Sequence, residues 1–289
     1  MPVTALVSAK SCGVTTSALA LTLASKRPSL LAECDPAGGT LRAGFLQGEV
    51  GAGQGLYHLA AAERTGPEAL ANTFASHLWP LDEAGHRKLL PGLTDPGQAG
   101  ALSRTWPMLS EVLHVMAEEA GHDVFIDAGR VALESGRLHT SLTPAPLLHQ
   151  ADLVLLVVRG TEQSLTLARH IIEPLRTELA EHGSGMDALG LLLIEEGPAR
   201  AHQVADALKT PVLGALPFEP AVGSFFTNGG RPPRGYARSG LLRHARTATE
   251  QLEAAASRRR IQQQYPARTG SVQISGMLQR LAERGGRRG

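Results

Sequence analysis

Residues 6–24, LVSAKSCGVTTSALALTLA, read as an apolar strand, a loop of small residues, and a helix opened by Thr15 and Thr16. A strand that turns through glycine into a helix start gathers backbone N–H groups and the positive end of the helix dipole at one point. That arrangement holds an anion such as phosphate. The usual loop of this kind reads G-x-x-x-x-G-K-[ST], with its lysine on the phosphates and its hydroxyl on Mg²⁺. With Gly13 and Thr15 aligned to the final glycine and hydroxyl positions, Val14 stands where the lysine belongs. The stretch before Gly13 is also one residue short. The backbone cradle is retained and its charge is lost.

Three further segments place this loop in context. Residues 29–36, SLLAECDP, are a short apolar strand ending in Glu33-x-Asp35-Pro36. Residues 123–130, DVFIDAGR, are a strand ending in Asp127. Residues 151–164, ADLVLLVVRGTEQS, are another buried strand leading into a helix. In open α/β sheets, ligands bind beyond the carboxyl ends of the strands. Gly13, Asp35 and Asp127 all fall there, on different strands, so they can converge on one cavity.

On these motifs the chain resembles the ParA/MinD family of deviant-Walker NTPases, whose pattern runs roughly KGGxGKTT, DxDPQ, hhhhDxxP and aDxvhhv. Lys10 matches the family's signature lysine, Thr15 and Thr16 its threonine pair, Asp35 and Pro36 its second motif, and Asp127 its third. The resemblance covers about residues 2–220. It is strongest to an actinobacterial ParA-like subtype with loops of the form KGSPGVTT, which also lacks the Walker lysine. The resemblance implies ATP or ADP with Mg²⁺ as ligands. Ser11, Cys12, Gly13, Val14, Thr15 and Thr16 would surround the phosphates, and Thr15 and Asp127 would hold the metal. Lys10 would reach the nucleotide of a partner protomer, Asp35 would position the attacking water, and Pro217 and Glu219 would cradle the base.

The remaining strands are expected near 3–8, 188–194 and 211–216, all near-continuous apolar runs of the kind buried on both faces of a parallel sheet. Helices are expected near 15–26, 56–64, 67–76, 107–120, 162–181 and 198–208. Pro67, Pro107 and Pro198 stand at first helical positions. Residues 77–96 hold one or two short strands. This alternation predicts a doubly wound, mostly parallel sheet flanked by helices. Residues 217–235, rich in Pro and Gly, read as a loop, and a helix follows near 238–262. The domain reading is a nucleotide-binding body over 1–237 and a basic helical arm over 238–289.

Net charge sharpens that division. Residues 231–289 hold 13 arginines, no lysine and three glutamates, a net +10, whereas residues 1–230 carry 15 basic and 24 acidic side chains, a net −9. A basic arm on an acidic body points toward a polyanion or an acidic partner. In 271–284, Ile274, Met277, Leu278 and Leu281 fall on one helical face beside arginines. Docking on a partner or on the body, DNA contact without sequence preference, and a membrane surface are the readings left open, in that order. Cys12 and Cys34 fall at strand ends near the loop, where they can be neighbours, although two reduced thiols are the simpler reading. No apolar run is long enough to span a bilayer, which suits a cytoplasmic protein, associated with nucleoid or membrane only through its arm.

Two functions follow from the resemblance. One is a positioning or partition protein, a nucleotide-switched homodimer with weak or absent ATP hydrolysis. The other is a catalytically inactive scaffold similar to TadZ/CpaE proteins, localising a pilus, secretion or other cell-envelope machine. Val14 and the short loop favour the second; Lys10, Thr15, Asp35 and Asp127 favour the first.

Overall fold

The apolar runs are the strands of one eight-stranded sheet in the computed structural model, which describes residues 1–264. β1 (Val3–Ser8) leads into α1 (Val14–Ala24), and β2 (Ser29–Glu33) follows. After a long excursion come α2 (Leu59–Glu63), α3 (Pro67–Ser76) and the short strands β3 (Trp79–Pro80) and β4 (Arg87–Leu90). α4 (Thr105–Glu118) precedes β5 (Asp123–Arg130), a small hairpin of β6 (Leu133–Glu134) and β7 (Arg137–Leu138), and α5 (Ala145–Gln150). Then β8 (Leu153–Arg159), α6 (Glu162–His182), β9 (Leu189–Glu195), α7 (Ala201–Leu208) and β10 (Val212–Pro217) alternate. α8 (Pro220–Asn228) and α9 (Gly240–Gln264) end the described chain.

Strand order is β10-β9-β8-β1-β5-β2-β4-β3, parallel throughout except for β3, which runs antiparallel to β4. The order reverses beside β1: the chain first winds outward through β2 and β4, then returns to β8 and winds the other way. The crevice at such a reversal is where α/β sheets hold ligands.

Strand residues alternate between two apolar layers because successive side chains point to opposite faces. Val3, Ala5, Val7, Val124 and Ile126 face α2 to α7, packing on Leu109, Leu147, Leu175 and Val204. Leu6, Leu31, Phe125, Leu155 and Leu192 face α1, α8 and α9. In α9, Leu241, Ala245, Ala248, Leu252 and Ala256 recur at three- and four-residue spacing and are buried in that second layer. The chain divides into compact units 1–256 and 257–289, and only residues 257–264 of the second are described. The amphipathic stretch 271–284 lies outside the described residues.

Local readings needed correction in three places. Pro107 is the third residue of α4, whose start is Thr105; its missing N–H is still one of the four a helix start leaves unbonded. Pro198 lies before α7, where the Arg200 N–H donates to Gln203 Oε1 at 2.9 Å at the entry to the helix. Residues 220–228, read as loop from their Pro and Gly content, are the helix α8. Its Phe225 and Phe226 rings meet Phe45 edge-on, at 5.4 and 5.9 Å between centroids. Aromatic packing outweighs the poor helix propensity of this segment.

Candidate functional site

The loop between β1 and α1 turns at Gly13, whose φ of +92° and ψ of 35° lie in the left-handed region that glycine enters without strain. An added Cβ there would meet nothing within 4 Å, so the turn faces open space. Gly13 O accepts from the Ser17 N–H at 2.9 Å and from Ser17 Oγ at 2.8 Å, which starts the helix. No side chain caps α1. Its first-turn amides and the positive helix end therefore face the open side of the turn. Val14 points away from it. The valine side chain is buried in the apolar layer that α1 shares with the sheet, leaving the cradle without a cation at that position.

Beside the loop, parallel pairing sets three acids at neighbouring strand ends. Leu6 of β1 and Glu33 of β2 both pair with Asp127 of β5. Thr15 Oγ1 donates to Asp127 Oδ2 at 2.5 Å, and the Gly129 N–H donates to Asp127 Oδ1 at 3.0 Å. Asp127 is fully buried, and its pKa is pushed up to about 7. Burial is the main cause; the Thr15 hydrogen bond opposes it, and the negative Glu33 and Asp35 add to it. Asp35 lies against Gly129, where an added Cβ would come 2.1 Å from Asp35 Cγ. Burial raises the Asp35 carboxyl too, against the Ala37 N–H and the charge of Arg130.

Glu33 serves the scaffold. Its Oε1 accepts from the Thr40 and Leu41 amides at 2.7 and 2.9 Å, and its Oε2 from the Gly92 amide at 2.9 Å. Those bonds fix the segment after β2 to the end of β4. Arg42 completes the tie by donating to the carbonyls of Val50, Gly51, Gln54 and Gly92.

On the other side of Gly13 a cleft of about 280 Å³ opens between the loop and the ends of β8, β9 and β10. Cys12, Gly13 and Thr16 form one wall, and Pro217, Phe218 and Glu219 another. Glu219 Oε1 accepts from the Leu241 N–H at 3.2 Å, so this carboxylate caps the start of α9 as well as lining the cleft. Ser17, Arg159 and Phe218, none singled out in the sequence, also line it. The one available signal was Arg159 itself, a charge closing the apolar run VLLVVR at a strand's carboxyl end. Lys10 and Ser11 stand exposed on the loop, outside the cleft lining.

The two cysteines are free and buried in different layers, Cys12 with α1 and Cys34 with the α4 side of the sheet. They are therefore not neighbours. Burial and the surrounding carboxylates push the Cys34 thiol well above its usual range. Among the described residues, no three His, Cys, Asp or Glu side chains are placed to hold a metal ion by themselves, and no helix is long and apolar enough to cross a membrane.

Solved structures share this architecture. The septum site-determining protein MinD from Pyrococcus horikoshii, complexed with Mg-ADP, superposes with a TM-score of 0.64 at 17% identity, covering 89% of this chain and 98% of that one. The MinD cell division protein of Aquifex aeolicus gives 0.60 at 18% identity, over 88% and 98%. A ParA family ATPase from Chlorobium tepidum gives 0.59 at 15% identity, over 86% and 98%. The chain thus has the fold of the MinD and ParA ATPases. No family model matches it. No curated protein matches it either.

Proposed function

We propose that this protein is a ParA/MinD-like positioning or partition protein that binds Mg·ATP or Mg·ADP weakly and hydrolyses slowly or not at all. One observation carries the reading: the Gly13 turn, the Thr15–Asp127 pair and Asp35 meet at one sheet edge, beside an open cleft. The first-turn amides of α1 would hold the phosphates, and Pro217 and Glu219 would face the base. Mg²⁺ fits the donors present. Thr15 and Asp127 offer hard oxygens, and a buried carboxyl raised to about 7 among other acids is a group that a cation would relieve. Such an ion is usually held by one or two protein oxygens, with phosphate and water completing the shell, so a protein-only cage is not required. The metal would neutralise phosphate charge. Asp35 would position water, and Lys10, exposed on the loop, would serve a partner protomer's nucleotide in a homodimer.

The missing lysine sets the expected affinity. A unit charge about 4 Å from a phosphate oxygen is worth on the order of 4 kcal/mol at an effective dielectric of about 20. That corresponds to roughly a thousandfold in affinity or rate. Calorimetry with Mg·ATP and Mg·ADP tests the reading, and weak, saturable heat is expected. No heat at millimolar ligand would replace it with the catalytically inactive scaffold for a pilus, secretion or other envelope machine, the reading that the inward-facing Val14 favours. The solved complexes of MinD include one with MinC, and a protein partner is proposed here by analogy. The arginine-rich arm would supply contact with that partner or with DNA. Salt-sensitive binding of duplex DNA by the full chain, lost on truncation after Gly270, would identify the second.

A further inference from the structure

Arg159 ends β8 at the mouth of the cleft and is the cation in its lining; the acid there, Glu219, already accepts from the Leu241 amide. Its backbone is tied to the phosphate loop, because the Arg159 N–H donates to Ser164 Oγ at 2.9 Å and that hydroxyl lies 3.7 Å from Cys12 Sγ. The side chain is underused where it stands. Nη1 donates to Glu196 at 2.7 Å, but Nε is buried with no acceptor, and the guanidinium carbon sits 5.7 Å from the Phe218 ring centroid. A guanidinium has five donors and keeps its charge at any ordinary pH.

The Arg159–Glu196 pair is not what joins its two loops. Main-chain bonds do that: Gly160 N donates to Ile194 O at 3.0 Å and Ala199 N to Gly160 O at 3.1 Å. Both partners are about one-third exposed, 34% and 30%, and pairs of that kind contribute little to stability. A charged arm held by a weak, dispensable partner, with an unused donor, next to a cradle that has lost its cation, is placed to change partners.

We infer that Arg159 supplies the cation missing from the phosphate loop, leaving Glu196 to bind the phosphates of a nucleoside di- or triphosphate in the cleft. The inference rests on the nucleotide reading of the cleft and adds the residue that makes it attractive to an anion. Glu196 is then a competitor that holds Arg159 aside when no phosphate is bound, and the affinity for phosphate is set by the exchange between the two acceptors.

The test is calorimetry of Mg·ADP binding to the full chain and three variants, with thermal melts of each in the absence of nucleotide. Arg159→Gln is expected to lose at least tenfold in affinity with an unchanged melting temperature. Arg159→Lys, which keeps the charge, should stay within about threefold of the parent. Glu196→Gln, which removes the competitor, should bind several-fold more tightly. Equal losses in Arg159→Gln and Glu196→Gln would make the pair a structural clasp and overturn the inference, as would equal losses in the glutamine and lysine variants. A parent that binds Mg·ADP and an Arg159→Gln variant that binds it equally well would also refute it, leaving the nucleotide reading intact. A parent that gives no heat at millimolar Mg·ADP would remove both.

Discussion

Asp127→Asn should make this protein more stable above neutral pH, although it removes a hydrogen-bonded buried side chain. The wild-type carboxyl is fully buried and ionises only near pH 7, against an ordinary value of 3.8. In the window from about pH 4 to 7 the folded chain therefore keeps a proton that the unfolded chain has released. Stability falls with rising pH wherever the folded state binds more protons, so this group's contribution is complete below about pH 4 and is lost as pH rises through 7. At roughly 1.4 kcal/mol per pH unit, the full penalty is about 4 kcal/mol, and the part lost between pH 5 and 8 is about 2.5 kcal/mol. Asparagine avoids it without disturbing the site. Its oxygen can take the Gly129 N–H, and its NH₂ can donate to the Thr15 hydroxyl, which serves equally as acceptor.

The assay is urea unfolding of both proteins at pH 5 and pH 8. His77, His122 and His149 are held below their ordinary values by burial and push stability the opposite way, but they do so equally in both proteins, so the difference isolates Asp127. Glu33 and Asp35, also raised by burial, add to the downward slope in both proteins. The variant should be more stable by a few kcal/mol at pH 8, with a margin that shrinks by about 2.5 kcal/mol at pH 5. A variant no more stable than wild type at pH 8, or a margin that ignores pH, would show that Asp127 is ordinarily ionised and that the acidic cluster is not desolvated.

Gly129→Ala is expected to cost about 2–3 kcal/mol, because the residue has φ +67° and its Cβ would collide with the Asp35 carboxyl. Thermal melts should show part of that loss recovered in the Gly129→Ala, Asp35→Gly double variant, and strict additivity would mean that the two do not touch. Glu33→Gln should cost about 2 kcal/mol in urea unfolding, since an NH₂ group replaces one of two oxygens that accept three amides between them. An unchanged midpoint would remove Glu33 as the pin of the segment after β2. Val14→Lys trades a buried methyl pair for a charge that must swing out of the apolar layer, at a cost of about 2 kcal/mol in stability. It should raise Mg·ATP affinity at least tenfold in calorimetry. No gain would mean that the shortened loop no longer has phosphate-binding geometry.

Strand positions were legible because a parallel sheet buried on both faces needs continuous apolar runs, and the chain supplies VTALVS, LVLLVVR and LGLLLIE almost without interruption. The acids at strand ends followed from the same rule. Pairing of Glu33 and Leu6 with Asp127 then put them side by side without any further information. What stayed hidden depended on packing across the sequence. The helix α8 is written in Pro, Gly and Phe, and forms because Phe225 and Phe226 find Phe45 some 180 residues earlier. α9 falls in the basic C-terminal stretch that suggested an arm, yet its alanines and leucines at helical spacing lie in the core. Composition reports the exposed face of such a helix; periodicity reports the buried one.

The direction of Val14 was equally beyond the sequence. A residue at the first position of α1 can aim toward the phosphates or toward the sheet. Here the side chain fills the layer between α1 and its neighbours. The position therefore belongs to the core, where apolar burial of a valine contributes about 1.5–3 kcal/mol. Asp127 and Asp35 stand beside the start of α1, with the charge of Arg130 acting on Asp35. Burial is the main cause of the shift of Asp127 to about 7, and the negative Glu33 and Asp35 add to it. An anion approaching this edge meets the amides of α1 on one side and that acidic group on the other. On the proposed reading it would bind only together with a cation, so a metal at Thr15 and Asp127 and the guanidinium of Arg159 would be the two decisive charges of the site.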